Sequence, residues 1–343
     1  MNTIFVSIAA YKDPEILDTI NDCISKARYP HNLTIGVCLQ DTTEKMIEVN
    51  KDMKNIISEY NRTHNKLKLN DIKVYDLHYK KANGCGLARS IIQTELYNNE
   101  DFFIQIDAHT KFNNVWDILA LDQYKLALEL NQRILNSASK NPESIDYKIR
   151  HYNRVMLSTY PNNSLGEDYM KWQFGSIPIP RSFLNNNIRP SGHGFNKSRY
   201  PIRGYWVCGG FLFTSREWVN AVEIEKDIPF NGEEDAMTIK SFMKGWNVYA
   251  PGFSICYHNY TNNLSESKTK TRTLVWEDVS IDNSKVDDIL NGLYNINHPN
   301  NEYIRTSKEY ELYMKIDYKK REILILPNEY IKIREDEQLK HLQ

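Results

Sequence analysis

Phe102-Phe103-Ile104-Gln105-Ile106-Asp107-Ala108-His109 runs an apolar strand straight into an Asp-x-His. In an open α/β sheet, ligands bind beyond the carboxyl ends of the strands. An Asp and a His two residues apart at such an end can turn toward one ion, offering a carboxylate oxygen and an imidazole nitrogen. That pair suits a divalent ion such as Mn²⁺ held jointly with substrate phosphates. A surface Asp beside a turn His writes the same tripeptide. Asn83-Gly84-Cys85-Gly86-Leu87-Ala88-Arg89-Ser90 sets two glycines at a loop-to-helix junction, where the backbone can approach a ligand and the helix N-terminus favours anions. Arg89 adds a positive charge, although a Gly-rich turn with a solvated Arg reads alike. The segment is neither a G-x-G-x-x-G nor a Gly-Lys-Ser/Thr loop, so a dinucleotide or P-loop ATP site is unsupported.

Three later segments add to this set. Trp206-Val207-Cys208-Gly209-Gly210-Phe211-Leu212-Phe213 carries a Gly-Gly inside an apolar strand, which weakens the strand unless something approaches the backbone or the chain must bend there. Phe230-Asn231-Gly232-Glu233-Glu234-Asp235 places three consecutive acids after a turn and before an apolar helix. They can cap that helix and complement its dipole, or serve as ligands for sugar hydroxyls or a reacting hydroxyl. Ile255-Cys256-Tyr257-His258 ends a strand in a His. Such a residue is structural unless other ligands converge on it.

The elements that must position these residues alternate. Ile4–Ala10 reads as a buried strand, and Leu33–Leu39, Ile72–Leu77 and Phe102–Ile106 as a second, third and fourth strand. Pro14–Lys26, with Asp13 as N-cap and Pro14 at the first helical position, residues 43–61 and Gly86–Tyr97 read as helices. The alternation predicts a parallel, doubly wound sheet. A long helix follows over Trp116–Ser139. Residues 140–205 are rich in Asn, Pro, Ser and Tyr, with little periodicity, and read as an insertion or a substrate-facing excursion. Strands at Trp206–Thr214 and Phe253–Tyr257 flank helices at Ser215–Glu223 and Glu234–Lys244. The polar, basic stretch 259–275 reads as a loop. A helix near Lys308–Lys315 and a strand at Ile323–Leu326 are expected near the end.

Composition narrows the function classes. The chain has 343 residues, 41% hydrophobic and 25% charged, an ordinary globular balance. Lys plus Arg is 43 against 44 Asp plus Glu, so the basic excess of a generic nucleic-acid binder is missing and no nucleic-acid partner is expected. Mean hydropathy is −0.59. No apolar run is long enough for a membrane span, and Ile4–Ala10 is too short for a signal-peptide core. Cys23, Cys38, Cys85, Cys208 and Cys256 make an odd count without a C-x-x-C pair. A disulfide framework is therefore not expected, and a reducing, cytoplasmic location is.

Taken in order, these segments resemble the cytoplasmic protein-hydroxyproline N-acetylglucosaminyltransferase family of retaining glycosyltransferases. More distantly the sequence is similar to the polypeptide N-acetylgalactosaminyltransferases. The features shared are Asn-Gly-x-Gly-x-x-Arg, a strand ending in Asp-x-His, a Gly-Gly strand, a Glu-Glu-Asp helix and a late His, over roughly residues 3–260. The resemblance implies a nucleotide-diphospho-sugar transferase (GT-A) fold, with a mostly parallel central sheet flanked by helices. It implies a catalytic domain over 1–260, with 140–205 as an insertion or acceptor-facing segment. Residues 261–343 would form a basic loop and an extension packed on that domain. No lectin-like C-terminal domain of the kind carried by the polypeptide transferases is expected.

The same resemblance implies roles. Ala10 and Tyr11 would sit by the uridine, Gln40 and Asp41 near the uracil or ribose, and Arg89 toward the nucleotide. Asp107, His109 and His258 would hold Mn²⁺ (or Mg²⁺) against the diphosphate of a UDP-sugar donor. Gly209 and Gly210 would let the donor sugar lie against the backbone, while Glu234 and Asp235 would face the sugar and the acceptor as catalytic acids. Lys268, Lys270 and Arg272 would close over the diphosphate. The implied activity moves N-acetylglucosamine or a related sugar to a hydroxyl of a protein (hydroxyproline, Ser or Thr) or of a glycan. A sugar-phosphate nucleotidylyltransferase would want a Gly-rich basic loop near the N-terminus, where Ala9-Ala10-Tyr11-Lys12-Asp13 offers none. A non-catalytic sugar- or protein-binding module of the same fold is the other alternative.

Overall fold

The computed structural model describes residues 2–64, 68–69, 71–150, 152–164, 169–171, 173–184, 186–260, 283–300 and 302–342. The first third follows the expected alternation: β1 (Ile4–Tyr11), α1 (Ile16–Lys26), β2 (Leu33–Asp41), α2 (Thr43–Thr63), β3 (Asp71–His78), α3 (Gly84–Ile91) and β4 (Phe102–Asp107). Then come β5 (Thr110–Phe112), α4 (Trp116–Ala138), a short α5 (Ile145–Lys148), β6 (Val155–Ser158), β7 (Asn162–Asn163), β8 (Gly175–Leu184), β9 (Asn187–Phe195) and β10 (Ile202–Arg203). Next are β11 (Phe211–Ser215), α6 (Arg216–Ala221), α7 (Glu233–Met243), β12 (Asn247–Ala250) and β13 (Cys256–His258). Helices at Asn283–Tyr294, Ser307–Met314 and Pro327–Leu342 follow.

An eight-stranded sheet in the order β10-β12-β6-β11-β4-β1-β2-β3 forms the centre. β1 pairs in parallel with both β2 and β4, and β2 with β3. β11 runs antiparallel between β4 and β6. The sheet is thus mostly parallel but mixed. β1 is apolar apart from the buried Ser7 because both faces are covered. Ile4, Val6, Ile8 and Ala10 pack with Ile20, Val49 and Met53 of α1 and α2. Phe5 faces the other way, toward Phe103, Ala88 and Trp218.

α1 starts two residues later than expected. The Asp13 carboxylate accepts from the Glu15 backbone N–H at 2.9 Å and from the His109 ring at 2.8 Å, so it is engaged at the end of the sheet rather than capping the helix. The helix at Gly84 ends at Ile91 and passes into a π-helical turn over Ile92–Leu96. Its glycines make room for protein: a Cβ at Gly84 would lie 1.8 Å from the Pro229 carbonyl oxygen, and one at Gly86 would lie 2.2 Å from that of Ile228.

Residues 140–205 hold more order than their composition suggests. They supply β6 to the central sheet and fold β8 and β9 into a separate antiparallel ribbon. Pro178 and Pro180 argue against a strand when read alone. A two-stranded ribbon tolerates them because its outer edges need no ladder partner among the described residues. The ribbon packs into a second core, where Ile177, Ile179 and Ile188 meet Ile239 and Phe242 of α7 and Leu290, Tyr310 and Tyr330 of the later helices. Arg305 is fully buried and donates to the Phe242 carbonyl at the C-terminal end of α7, at 3.1 Å. Thr306 and Glu309 close a capping box at the next helix. Two late helices, Asn283–Tyr294 and Pro327–Leu342, are not among the expected elements. The strand expected at 323–326 shortens to Glu322–Ile323, paired with Ile316–Asp317.

Among the described residues, no helix is long and apolar enough to cross a membrane. All five cysteines are free.

Candidate active site

A cavity of about 490 Å³ opens beyond the carboxyl ends of β1 and β4, bounded by the N-terminal ends of α3 and α7 and by β13. This is the edge at which open α/β sheets bind their ligands. Asp107 is the last residue of β4, and the chain turns at once so that His109 follows it into the cavity. β5 then pairs antiparallel with β13, with His258 opposite Thr110. That register carries His258 across 149 residues of sequence to stand beside His109, with ring centroids 4.4 Å apart. The ligand atoms of Asp107, His109 and His258 all lie within 4.8 Å of one another.

The bonding around these three residues is directional. Asp107 Oδ1 accepts from Arg89 Nη2 at 2.9 Å, and Oδ2 from His258 Nε2 at 3.0 Å. Burial pushes the Asp107 carboxyl up, but the His258 hydrogen bond and the Arg89 charge outweigh it and hold it well below the ordinary carboxylate range. It is therefore an anion at any working pH. Asp13 accepts from His109 Nδ1 at 2.8 Å, which fixes that ring from behind, as outer carboxylates do for metal-binding histidines. Among the described residues, His258 Nδ1 is buried with no hydrogen-bond partner, which leaves one ring nitrogen that they do not satisfy. One carboxylate oxygen and two imidazole nitrogens fit a divalent transition metal such as Mn²⁺ better than Mg²⁺, which prefers oxygen ligands.

The three acids at the start of α7 form the opposite wall. None caps the helix: Gly232 is the N-cap and no side chain caps it. Glu233 takes Arg89 Nη1 on both oxygens, at 2.8 and 2.6 Å. Glu234 accepts from the Gly209 N–H at 2.7 Å, the Tyr160 hydroxyl at 2.8 Å and the Trp206 indole at 3.3 Å. Asp235 accepts from the Ile188 N–H at 3.0 Å and the Tyr294 hydroxyl at 2.9 Å, joining the ribbon and a late helix to α7. Burial pushes the Glu234 carboxyl up against the pull of its donors, and raises that of Asp235 to about 7.

Most of the expected residues converge on this cavity. Tyr11, Gln40, Arg89, Gly209, Gly210, Glu234 and Asp235 all line it with the Asp-His-His cluster. Ala10 does not. Its side chain points into the core with Ile8 and Ile20, and alternation along β1 brings Ala9 to the cavity instead. Asp41 is also absent from the lining; its carboxylate accepts from the Thr42 N–H at 2.7 Å at the start of α2. Gly209 and Gly210 form a tight turn ahead of β11 rather than lying inside a strand. Lys268, Lys270 and Arg272 lie outside the described residues. Asp13, Glu233 and Tyr160 also face the cavity. Glu233 was legible as the first of the three acids; Tyr160, in an aperiodic segment, carried no signal.

The family described as Glycosyltransferase (GlcNAc) matches residues 3–65 and 42–280. No curated protein matches the chain. Among solved structures, that of GalNAc-T7 with UDP, GalNAc and Mn²⁺ overlays 98% of the chain with a TM-score of 0.51 at 15% identity. The chain spans 55% of that protein. The S. aureus TarS 1–349 structure covers 84% of the chain and 69% of its own, with a TM-score of 0.41 at 13% identity. At such identities the likeness concerns the fold, which is GT-A.

Proposed function

This chain belongs to the family of GlcNAc glycosyltransferases, and from that premise we propose that it transfers N-acetylglucosamine, or a related sugar, from a UDP-sugar to a hydroxyl acceptor with retention at the anomeric carbon. The acceptor in this reading is a protein hydroxyl: hydroxyproline, serine or threonine. Catalysis is assigned to residues 1–260, with the later helices bracing α7. The observation that carries the reading is the convergence of Asp107, His109 and His258 within 4.8 Å at the sheet end of the cavity.

Transfer breaks the bond between the anomeric carbon and the β-phosphate oxygen and forms one to the acceptor oxygen. Asp107, His109 and His258 would hold a divalent ion, which would supply positive charge where the departing diphosphate gains negative charge. The chain's own residues do the rest. Tyr11 and Gln40 bound the nucleotide end. Glu234, partly buried and lining the cavity, is the acid assigned to the sugar and acceptor hydroxyls. Asp235, 1% exposed, holds the ribbon and Tyr294 in place behind it. Front-face attack assisted by the leaving phosphate needs no enzyme nucleophile. The acceptor hydroxyl gives up its proton to the leaving phosphate oxygen as the new bond forms.

A screen of UDP-sugars, with and without Mn²⁺, tests the assignment. Mn²⁺-dependent release of UDP, fastest with UDP-N-acetylglucosamine, is the expected result. Tight UDP-sugar binding with no turnover on any protein or glycan acceptor would instead make the chain a binding module.

A further inference from the structure

We infer that Glu233 acts as a positioning residue for Asp107 through Arg89, and that the Gly209-Gly210 turn is built of glycine to leave room for this relay. The inference rests on the reading of Asp107 as a metal ligand and adds to it a residue outside the ligand set. Glu233 is 3% exposed and Arg89 4%. Arg89 Nη1 is gripped by both Glu233 oxygens, at 2.8 and 2.6 Å, while Nη2 donates to Asp107 Oδ1 at 2.9 Å. The Cys85 thiol donates to Glu233 Oε2 at 2.8 Å and steadies the far end.

A guanidinium is a rigid planar fork, so fixing one arm fixes the other. With Nη1 held by Glu233, Nη2 meets only Oδ1 of Asp107. The other oxygen, Oδ2, is then turned to His258, on the side where the three candidate ligands converge. Without Glu233, the buried Arg89 would lose its second carboxylate and swing onto both oxygens of Asp107, in direct competition with a cation.

The glycines support the same arrangement from the other side. A Cβ at position 209 would lie 2.5 Å from Arg89 Nη1, and one at position 210 would lie 2.9 Å from Asp107 Oδ2. The turn itself is held still, because Gln105 donates to the Gly209 carbonyl at 2.9 Å and the Gly209 N–H donates to Glu234 at 2.7 Å. A side chain at either position would therefore have to displace the guanidinium or the carboxylate. The close approach seen in the sequence is an approach to this relay.

The test uses the full chain stripped of metal and titrated with Mn²⁺, the free ion being read by electron paramagnetic resonance. Glu233→Gln and Gly209→Ala are compared with the parent, with circular dichroism as the check on folding. The expected result is Mn²⁺ binding weakened about tenfold or more in both variants, the range found for residues that orient metal ligands. Transfer should recover as Mn²⁺ is raised, since the loss is in affinity for the ion. A purely structural role would give a loss that excess Mn²⁺ leaves unchanged. Parent-like Mn²⁺ affinity in either folded variant overturns the relay. Should Glu233→Gln fail to fold, Gly209→Ala decides alone, because it leaves every charge in place. A parent that binds no Mn²⁺ would overturn the metal assignment itself, a result visible before any variant is made.

Discussion

Asp107 and Glu233 face the Arg89 guanidinium, and Asp107 also meets the His258 ring. Among the described residues, the donors to Glu234 and Asp235, the next two residues of α7, are amide, indole and phenol groups. Yet all four line one cavity. Burial raises a carboxyl wherever it sits, and what opposes it differs between the two walls. Cations overcome it at Asp107, which stays charged, whereas neutral donors do not at Glu234 and Asp235, whose carboxyls rise. The comparison teaches that the nature of the partner, more than the depth of burial, decides which acids here can hold a cation and which can hold a proton.

The largest effect expected from breaking this contrast is at the charged wall. Asp107→Ala should abolish Mn²⁺-dependent UDP binding and lower transfer by about a thousandfold, the scale of several kcal/mol of lost charge stabilisation. Titration of UDP with and without Mn²⁺, alongside rates, checks this; a normal rate would remove the distinction between the walls. Next comes Glu234→Gln. It should lower transfer by about a hundredfold, as for a positioned carboxylate, and leave Mn²⁺ affinity near that of the parent. Equal loss of Mn²⁺ affinity would mean that the two walls act as one site.

The smallest effect concerns stability. Asp235 titrates near 7 in the fold against about 3.9 in an unfolded chain. The folded state therefore holds its proton over a window in which the unfolded state has lost it, so stability falls as pH rises from about 4 to 7. Below that window the two forms bind the proton alike and the penalty is gone. Asp235→Asn can keep both contacts, accepting from the Ile188 N–H and donating to the Tyr294 oxygen, and carries no charge. Its melting temperature relative to the parent should climb by several degrees between pH 4 and 7 and then level off. A difference that stays flat across that range would show that neutral donors suffice to keep this carboxylate charged.

Legibility varied along the chain for identifiable reasons. β1, β2 and β4 were readable because inner strands covered on both faces carry near-continuous apolar runs, whereas β3 is a partly exposed edge strand. Asp107 and His109 were readable because β4 ends where its apolar run ends. Asp13, an acid before a Pro, has the local form of an N-cap, and only the return of β4 beside β1 brings His109 within reach of it. Ala10 and Ala9 were interchangeable on paper, since one residue of register decides which faces the core. The ribbon of β8 and β9 was hidden by its prolines. The late helix carrying Tyr294 gave no sign that it would reach Asp235.

By itself the sequence determined the α/β alternation, the sheet edge at which the cavity opens and the residue types gathered there, because these follow from local periodicity and from where each apolar run stops. Only the tertiary structure decided that Arg89 is clasped between Glu233 and Asp107 and that the glycines make room for it. It likewise decided that consecutive acids of one helix turn meet opposite electrostatic surroundings. Charge state depends on what lies across the cavity, and those partners come from strands and helices far apart in the chain, whose meeting is set by strand register and core packing rather than by any local pattern.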